Sequence, residues 1–246
     1  MLTIIFFVGV FLLIPSSNCY AWGPLTHVFL GNELLIFPYL IPASIYMVIR
    51  RHTDDFLYGN LMADTVLGKK YMPEPENSHS WPFGFNLLYN ATNEHEKSFC
   101  YGYLCHLAAD TVAHGLLTKE KKNIEHTLYE LKADSFINKK YWIKAVTILK
   151  AAQRRNDTFL ENSMETYMFS FKTNKRIFKS MVFMSILTSV SFSPEFKRKK
   201  SLLSYVPDKD SISKLRSESI YRMVDILRKG TDSAVTQISP MGDSEE

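Results

Sequence analysis

The chain has 246 residues, enough for one large domain or two small ones, and with 46% hydrophobic and 13% aromatic residues a sizeable core is possible. Its net charge of +4 and pI near 8.8 are too mild for a dedicated nucleic-acid binder, and no specific nucleic-acid partner is expected. No run of alternating apolar and polar residues indicates strands. The apolar spacing predicts an all-α fold throughout.

The first 21 residues predict a secretory signal peptide. An apolar run at 2–14 is followed by the small-x-small sequence Cys-Tyr-Ala at 19–21. Cleavage after residue 21 would start the mature chain at Trp22, and we expect export to a secreted or periplasmic location. An uncleaved anchor is the alternative, but the apolar run is shorter than the roughly 20 residues that span a bilayer.

Capping residues and prolines divide the rest of the chain into helices. The domain prediction is a helical domain at 22–229, followed by a polar tail at 230–246 that is predicted to be disordered. The predicted helices are Pro24 to about Phe37, Ala43–Arg51, Thr53 to Gly59–Asn60, Pro82–Tyr89, a long helix capped by Thr92 or Asn93, one through His126 and Glu130, Lys140–Gln153, one capped by Asn156 or Asp157 and running to Phe171, Asn174–Val190 and Ser211–Arg228.

The long helix carries His106, Asp110 and His114 at positions i, i+4 and i+8, which line one stripe of a helix. Its other residues are mostly Leu, Ala and Cys, which predicts burial. Two imidazoles beside a carboxylate suit a divalent metal, zinc above all, and a buried carboxylate needs a cation nearby. A second i, i+4 pair, His126 and Glu130, follows. A polynuclear metal site and a set of hydrogen-bonded core histidines both remain open on this pattern alone.

The order of these motifs resembles the zinc-dependent phospholipase C family. Its superfamily includes the S1/P1 nucleases and the amino-terminal domain of glycosylphosphatidylinositol-specific phospholipase D. The resemblance covers residues 22–130 and implies an all-helical bundle around three zinc ions. The matching sequences are Trp22-Gly-Pro-Leu-Thr-His27, Asp64, His79-Ser-Trp81, Gly102-Tyr-Leu-Cys-His106-Leu-Ala-Ala-Asp110-Thr-Val-Ala-His114 and His126-x-x-x-Glu130.

The resemblance also implies which residues hold each zinc ion. The sets are Asp64, His79, His106 and Asp110 for one ion, His114, His126 and Glu130 for a second, and the amino and carbonyl groups of Trp22 with His27 and the bridging Asp110 for the third. The α-amine released by cleavage after residue 21 would then itself be a ligand.

The implied activity is zinc-dependent hydrolysis of phosphodiester bonds of the phospholipase C or D type. The substrate would be a phospholipid or another phosphodiester, and Asp64 would be the catalytic general base. A single-strand nuclease is the first alternative. The short spacing from Trp22 to His27 favours it, whereas Glu130, where the nucleases place Asp, argues against it. The second alternative is a non-catalytic module that keeps zinc only for folding.

Four aromatic residues lie near the predicted site. We expect them mainly to pack a loop onto the bundle, and the alternative is an aromatic wall for a choline headgroup. The residues are Tyr71, Trp81, Phe83 and Phe85.

Two basic clusters, at 175–179 and 197–200, are expected to be solvated helix faces. The alternative is a peripheral contact with an anionic lipid surface. No protein partner is predicted. His52 and His95 match no motif and are expected at the surface, and Cys100 and Cys105 are expected to be buried free thiols.

Overall fold

The structure, a computed structural model, describes residues 22–65, 77–114, 130–164, 170–191 and 208–242. These residues form helices and no strand, so the all-α prediction is confirmed for them. The predicted signal peptide lies outside the described residues. The α-helices, in chain order, are α1 Pro24–Leu34, α2 Ala43–Arg51, α3 Thr53–Met62, α4 Trp81–Asn90, α5 Glu94–Val112, α6 Lys139–Ala151, α7 Gln153–Asn162, α8 Phe171–Ser191 and α9 Lys209–Lys229.

Shorter helical pieces connect these helices. Residues 130–135 are helical, and 3₁₀ turns cover Pro38–Leu40, Ala63–Thr65, Gly230–Asp232 and Ala234–Gln237. No helix in the described ranges is both long enough and apolar enough to cross a bilayer.

Helix α5 lies at the centre of the bundle. It begins where the sequence predicts, because the Asn93 side chain accepts a hydrogen bond from the backbone N–H of Glu96, and Glu94 and Glu96 place negative charge in the first turn. Every residue from Gly102 to Val112 is buried. The helix packs against α3, α4 and α9, so the side chains of its second half point into the core.

Two glycines allow α3 and α5 to approach closely. A Cβ atom at Gly102 would lie 1.9 Å from the carbonyl oxygen of Phe56, and one at Gly59 would lie 2.0 Å from the carbonyl oxygen of Phe99. The prediction that the third helix ends at Gly59 is therefore wrong. Gly59 serves this close contact inside α3, which continues to Met62 and leads directly into the turn that carries Asp64.

Helix α7 differs from the prediction at both ends. It begins at Gln153 without a side-chain cap and ends at Asn162 rather than Phe171. The two predicted caps lie inside it. Asn156 donates a hydrogen bond to Asp55, and Asp157 accepts hydrogen bonds from Tyr58 and Lys175. These side chains join α7 to α3 and α8 and do not cap their own helix.

The tail is ordered over most of its length. Ser233 and Val235 are buried, the Ser233 hydroxyl donates to Asp225 at 2.6 Å, and the carbonyl oxygen of Ile238 accepts from Nε1 of Trp81 at 2.8 Å. The predicted disorder is thus wrong for 230–242, because hydrogen bonds to the bundle compensate for the scarcity of large apolar side chains. Residues 243–246 lie outside the described part of the chain.

Candidate metal centre

The carboxylate of Asp110 is fully buried on α5, and its two oxygens face different groups. Oδ1 lies 3.1 Å from Nε2 of His27 and accepts a hydrogen bond from the backbone nitrogen of Trp22 at 3.4 Å. Oδ2 lies 2.8 Å from Nε2 of His79 and 3.0 Å from Nε2 of His106. Four residues from three separate parts of the chain therefore converge on one carboxylate.

Asp64 completes this cluster on its more open side. Its Oδ1 lies 3.6 Å from Nε2 of His106 and 4.0 Å from Nδ1 of His79. Its side chain is 22% exposed, whereas those of the histidines and Asp110 are at most 1% exposed. One ligand atom each from His27, Asp64, His106 and Asp110 lie within 4.8 Å of one another.

The nitrogen atoms of this cluster are arranged as ligands of a cation would be. Nδ1 and Nε2 of His27 and Nε2 of His106 are buried and make no hydrogen bond to any described residue, although both Nε2 atoms lie close to Asp110. The two imidazole rings stack with their centroids 3.8 Å apart. Buried polar atoms normally have partners. Imidazole nitrogens and carboxylate oxygens that converge in this way fit zinc.

The charges of the cluster support the same conclusion. Burial raises the pKa of Asp110, but His106 and His27 outweigh it and hold that pKa well below its ordinary value. Burial lowers the pKa of His106, but Asp110 and Asp64 outweigh it and raise that pKa to about 10. The buried carboxylate of Asp110, with Asp64 beside it, therefore requires positive charge nearby, which either an imidazolium or a metal ion supplies.

The orientation of His106 is set by α3. Its Nδ1 lies 2.8 Å from the main-chain carbonyl oxygen of Asn60. A carbonyl can only accept, so Nδ1 is the donor and Nε2 is the nitrogen that faces Asp110 and Asp64. The sequence analysis missed Asn60, because a main-chain contact across a helix pair leaves no residue-type signal.

The loop that carries His79 is held on both sides. The backbone nitrogen of His79 donates to Oδ1 of Asn77 at 2.8 Å, and the Tyr103 hydroxyl donates to the carbonyl oxygen of Ser78. Ser80 then caps α4 by accepting from the backbone nitrogen of Phe83. The Asn-x-His spacing was present in the sequence and is the local signal that could have identified this turn.

A buried carboxylate that the sequence analysis missed positions His27. Asp134, in the helical segment 130–135, accepts hydrogen bonds from the backbone nitrogens of Leu25 and Thr26 at 3.2 and 2.8 Å, and from the Thr26 hydroxyl at 2.7 Å. It caps α1 from another part of the chain, since α1 has no side-chain cap of its own. Burial raises the pKa of Asp134 despite these donors.

The remaining predicted ligands are only partly described. His114 lies two residues beyond the end of α5 and is 6% exposed, and Gly242 lies against it. Glu130 is half-buried at the start of the segment 130–135. His126 lies outside the described residues. The second ligand set, and the division of ligands between individual ions, therefore stay predictions.

A second group of side chains with ligand atoms within 4.8 Å comprises His52, Asp55 and His95. Both oxygens of Asp55 accept hydrogen bonds from Arg155, at 2.6 and 2.7 Å, and Oδ1 also accepts from Asn156. Burial raises the pKa of Asp55, but these donors outweigh it and lower that pKa. Because an arginine already neutralises this carboxylate, we assign the group a structural role.

The predicted aromatic residues take two different positions. Phe83 is buried, with its ring 5.8 Å from that of Tyr103, which fits a packing role. Trp81 and Phe85 line a cleft of about 510 Å³ beside His79, with their rings 6.3 Å apart. Tyr71 lies outside the described residues.

An all-helical bundle with a buried cluster of histidines and aspartates suited to a divalent cation defines a helical metalloprotein. Residues 26–177, more than half of the chain, match the family model of zinc-dependent phospholipase C. The chain belongs to this family of zinc-dependent hydrolases, and the resemblance seen in its motifs is confirmed. No curated protein and no solved structure matches it.

Proposed function

We propose that this chain is a zinc-dependent phosphodiesterase that hydrolyses phospholipids in a phospholipase C-like reaction. The observation that carries the proposal is the position of Asp110, whose oxygens are approached by Trp22, His27, His79 and His106 in a chain of this family. Bound zinc would polarise the phosphoryl group and make a water molecule more acidic.

The burial of the cluster suggests a division of roles among its residues. His27, His79, His106 and Asp110 are closed off from solvent, so they would hold zinc. Asp64 is 22% exposed on its side chain and is the member that can meet a water molecule. We assign it the role of general base.

These roles define the course of the reaction. Water transfers a proton to the carboxylate of Asp64 as its oxygen forms a bond to phosphorus, and the bond from phosphorus to the glycerol oxygen breaks. The glycerol oxygen takes up a proton, and Asp64 can supply it by giving up the proton that it took from water. The products are diacylglycerol and a phosphorylated headgroup.

Three zinc ions are part of the proposal. Its support is that Oδ1 of Asp110 faces Trp22 and His27 while Oδ2 faces His79 and His106, as expected of a carboxylate that bridges two ions. By the family resemblance, His114, His126 and Glu130 would hold the remaining ion.

Export and cleavage after residue 21 also belong to the proposal. The backbone nitrogen of Trp22 is already 3.4 Å from Asp110, and cleavage would convert it from an amide into an amine that can bind a cation. Amines bind metal ions and amide nitrogens that carry hydrogen do not, so processing would complete the site.

A peripheral contact with an anionic membrane surface is a further part of the proposal. Lys175 was expected on a solvated helix face. It is instead only 6% exposed and is paired with Asp157. Burial lowers its pKa despite this partner. A lipid contact would therefore depend on the exposed Arg176 and on the basic run at 197–200.

The test uses the purified chain with zinc and two substrates, phosphatidylcholine in mixed micelles and single-stranded DNA. We expect zinc-dependent release of diacylglycerol and phosphocholine. Release of phosphatidic acid and choline would overturn the C-type assignment. Faster cleavage of the DNA would identify a nuclease instead. Stoichiometric zinc binding without hydrolysis of either substrate would identify a non-catalytic module.

A further inference from the structure

The cleft beside His79 has two walls from distant parts of the chain. One wall is the start of α4, with Trp81 and Phe85. The other is the C-terminal segment, residues 230–242, which contributes Pro240 and Met241. The C-terminal segment lies beyond residues 26–177, so this wall is not part of the sequence that matches the family model.

The C-terminal segment is attached to the same loop that carries His79. Nε1 of Trp81 donates to the carbonyl oxygen of Ile238 at 2.8 Å, and Nδ2 of Asn77 donates to the sulfur of Met241 at 2.8 Å. Oδ1 of Asn77 in turn accepts from the backbone of His79. The wall therefore has a fixed position relative to the candidate metal centre.

The lining of the cleft suits an uncharged occupant. Among the described residues that line it there is no Asp, Glu, Lys or Arg, and His79 is its titratable member. Five apolar side chains and several hydroxyl groups make up the rest. A cationic headgroup would find no carboxylate here, whereas apolar groups would be desolvated favourably. The apolar side chains are Trp81, Pro82, Phe85, Pro240 and Met241.

We propose that this cleft binds the glycerol-linked acyl chains of the phospholipid substrate, with Met241 and Phe85 on opposite walls as specificity-determining residues. The proposal rests on the proposed function. A substrate with its phosphodiester at the cluster near His79 would extend its diacylglycerol part into the adjoining cleft. The C-terminal segment would then set how much acyl chain the site accommodates.

The test compares dibutanoyl- and dihexanoyl-phosphatidylcholine as monomeric substrates. In the wild type, we expect kcat/KM to rise with chain length because added methylene groups would be buried. In Met241→Ala and in Phe85→Ala, we expect the dihexanoyl-to-dibutanoyl ratio to fall at least threefold. Met47→Ala is the matched control, since Met47 is 49% exposed on α2 and does not line the cleft.

A binding measurement without catalysis completes the test. Dihexanoylglycerol is titrated into the protein while tryptophan fluorescence is followed, and we expect saturable binding that is at least threefold weaker in Met241→Ala and Phe85→Ala. The fluorescence change should disappear in Trp81→Phe. If the wild type binds dihexanoylglycerol in this way but hydrolyses no phospholipid, the proposed function fails and the cleft assignment stands. A dihexanoyl-to-dibutanoyl ratio of kcat/KM that is unchanged in both variants would overturn the cleft assignment. So would variants that change the preference for the headgroup and not for the acyl chain length.

Discussion

The carbonyl oxygen of Asn60 accepts a hydrogen bond from Nδ1 of His106 at 2.8 Å, across the close contact of α3 with α5. This bond orients the ring so that Nε2 of His106 faces Asp110 and Asp64. The fold and the candidate metal centre therefore depend on the same helix pair, and the two contributions can be separated by substitution.

We expect His106→Asn to lose zinc while keeping the fold. The amide nitrogen of asparagine can replace Nδ1 as the donor to Asn60, but asparagine has nothing at the position of Nε2. Zinc affinity should fall at least tenfold, as in altered metal sites generally, while the far-ultraviolet circular dichroism spectrum measured in a chelator remains that of the folded helical protein. Zinc competition with a chromogenic chelator measures the affinity. His95→Asn, on the same helix but 46% exposed, is the control, and equal affinity in the two variants would contradict the assignment.

Asp134→Ala should destabilise the protein by about 2–4 kcal/mol, since it removes a helix cap and leaves three donors of Leu25 and Thr26 without their acceptor. Urea denaturation of the metal-free protein measures this. Asp208→Ala is a matched control because Asp208 caps α9 at an exposed position, and its loss should be about 1 kcal/mol. Equal losses would show that burial adds nothing to the cap at α1.

Gly102→Ala should destabilise the protein by about 3 kcal/mol or more, because the new methyl group would meet the backbone oxygen of Phe56, which can move only with α3. Gly84→Ala is the control. Its methyl group would lie 3.0 Å from the ends of the Leu104 and Leu107 side chains, which can adjust, and the higher helix propensity of alanine offsets the strain. Thermal denaturation should show a large loss of unfolding free energy for Gly102→Ala and a loss of less than about 1 kcal/mol for Gly84→Ala.

Asp55→Asn should lower the free energy of unfolding by about 2–3 kcal/mol at pH 7, because Arg155 and Asn156 lose a charged acceptor. The pKa of Asp55 is lowered by folding, so its contribution is present above the unfolded value near 3.9 and is lost as the pH falls through the lower folded value. The difference between wild type and Asp55→Asn should therefore shrink in acid below about pH 4.

Urea denaturation of the metal-free proteins at several pH values measures that difference. Asp54→Asn is the control, because Asp54 pairs with Lys144 at a partly exposed position where such pairs contribute at most about 1 kcal/mol. A constant difference between wild type and Asp55→Asn across the acid range would contradict the role given to the Asp55 carboxylate.

The parts of the fold that were predictable are those set by local signals. The start of α5 followed from Asn93 and the two glutamates after it, and the i, i+4 spacing of His106 and Asp110 placed both on one buried face. Short-range capping and helical periodicity decide these features, so the sequence alone carries them.

The features that were missed depend on contacts between distant residues. Asp157 was predicted as a helix cap but accepts hydrogen bonds from Tyr58 and Lys175. Gly59 was predicted as part of a helix end but permits the close approach of α3 to α5. The tail was predicted to be disordered because its composition is polar, yet Trp81 holds it through the carbonyl oxygen of Ile238. Asp134 was missed for the same reason, since its partners lie more than 100 residues away in the chain.

We propose that Asp110 organises a zinc site that carries the hydrolytic activity. The most direct test measures bound zinc and phosphatidylcholine hydrolysis together in wild type and Asp110→Asn. We expect three zinc ions and activity in the wild type, and loss of both zinc and activity in the variant, which keeps the size of the side chain but not its charge. An Asp110→Asn protein that retains its full zinc content would contradict the account.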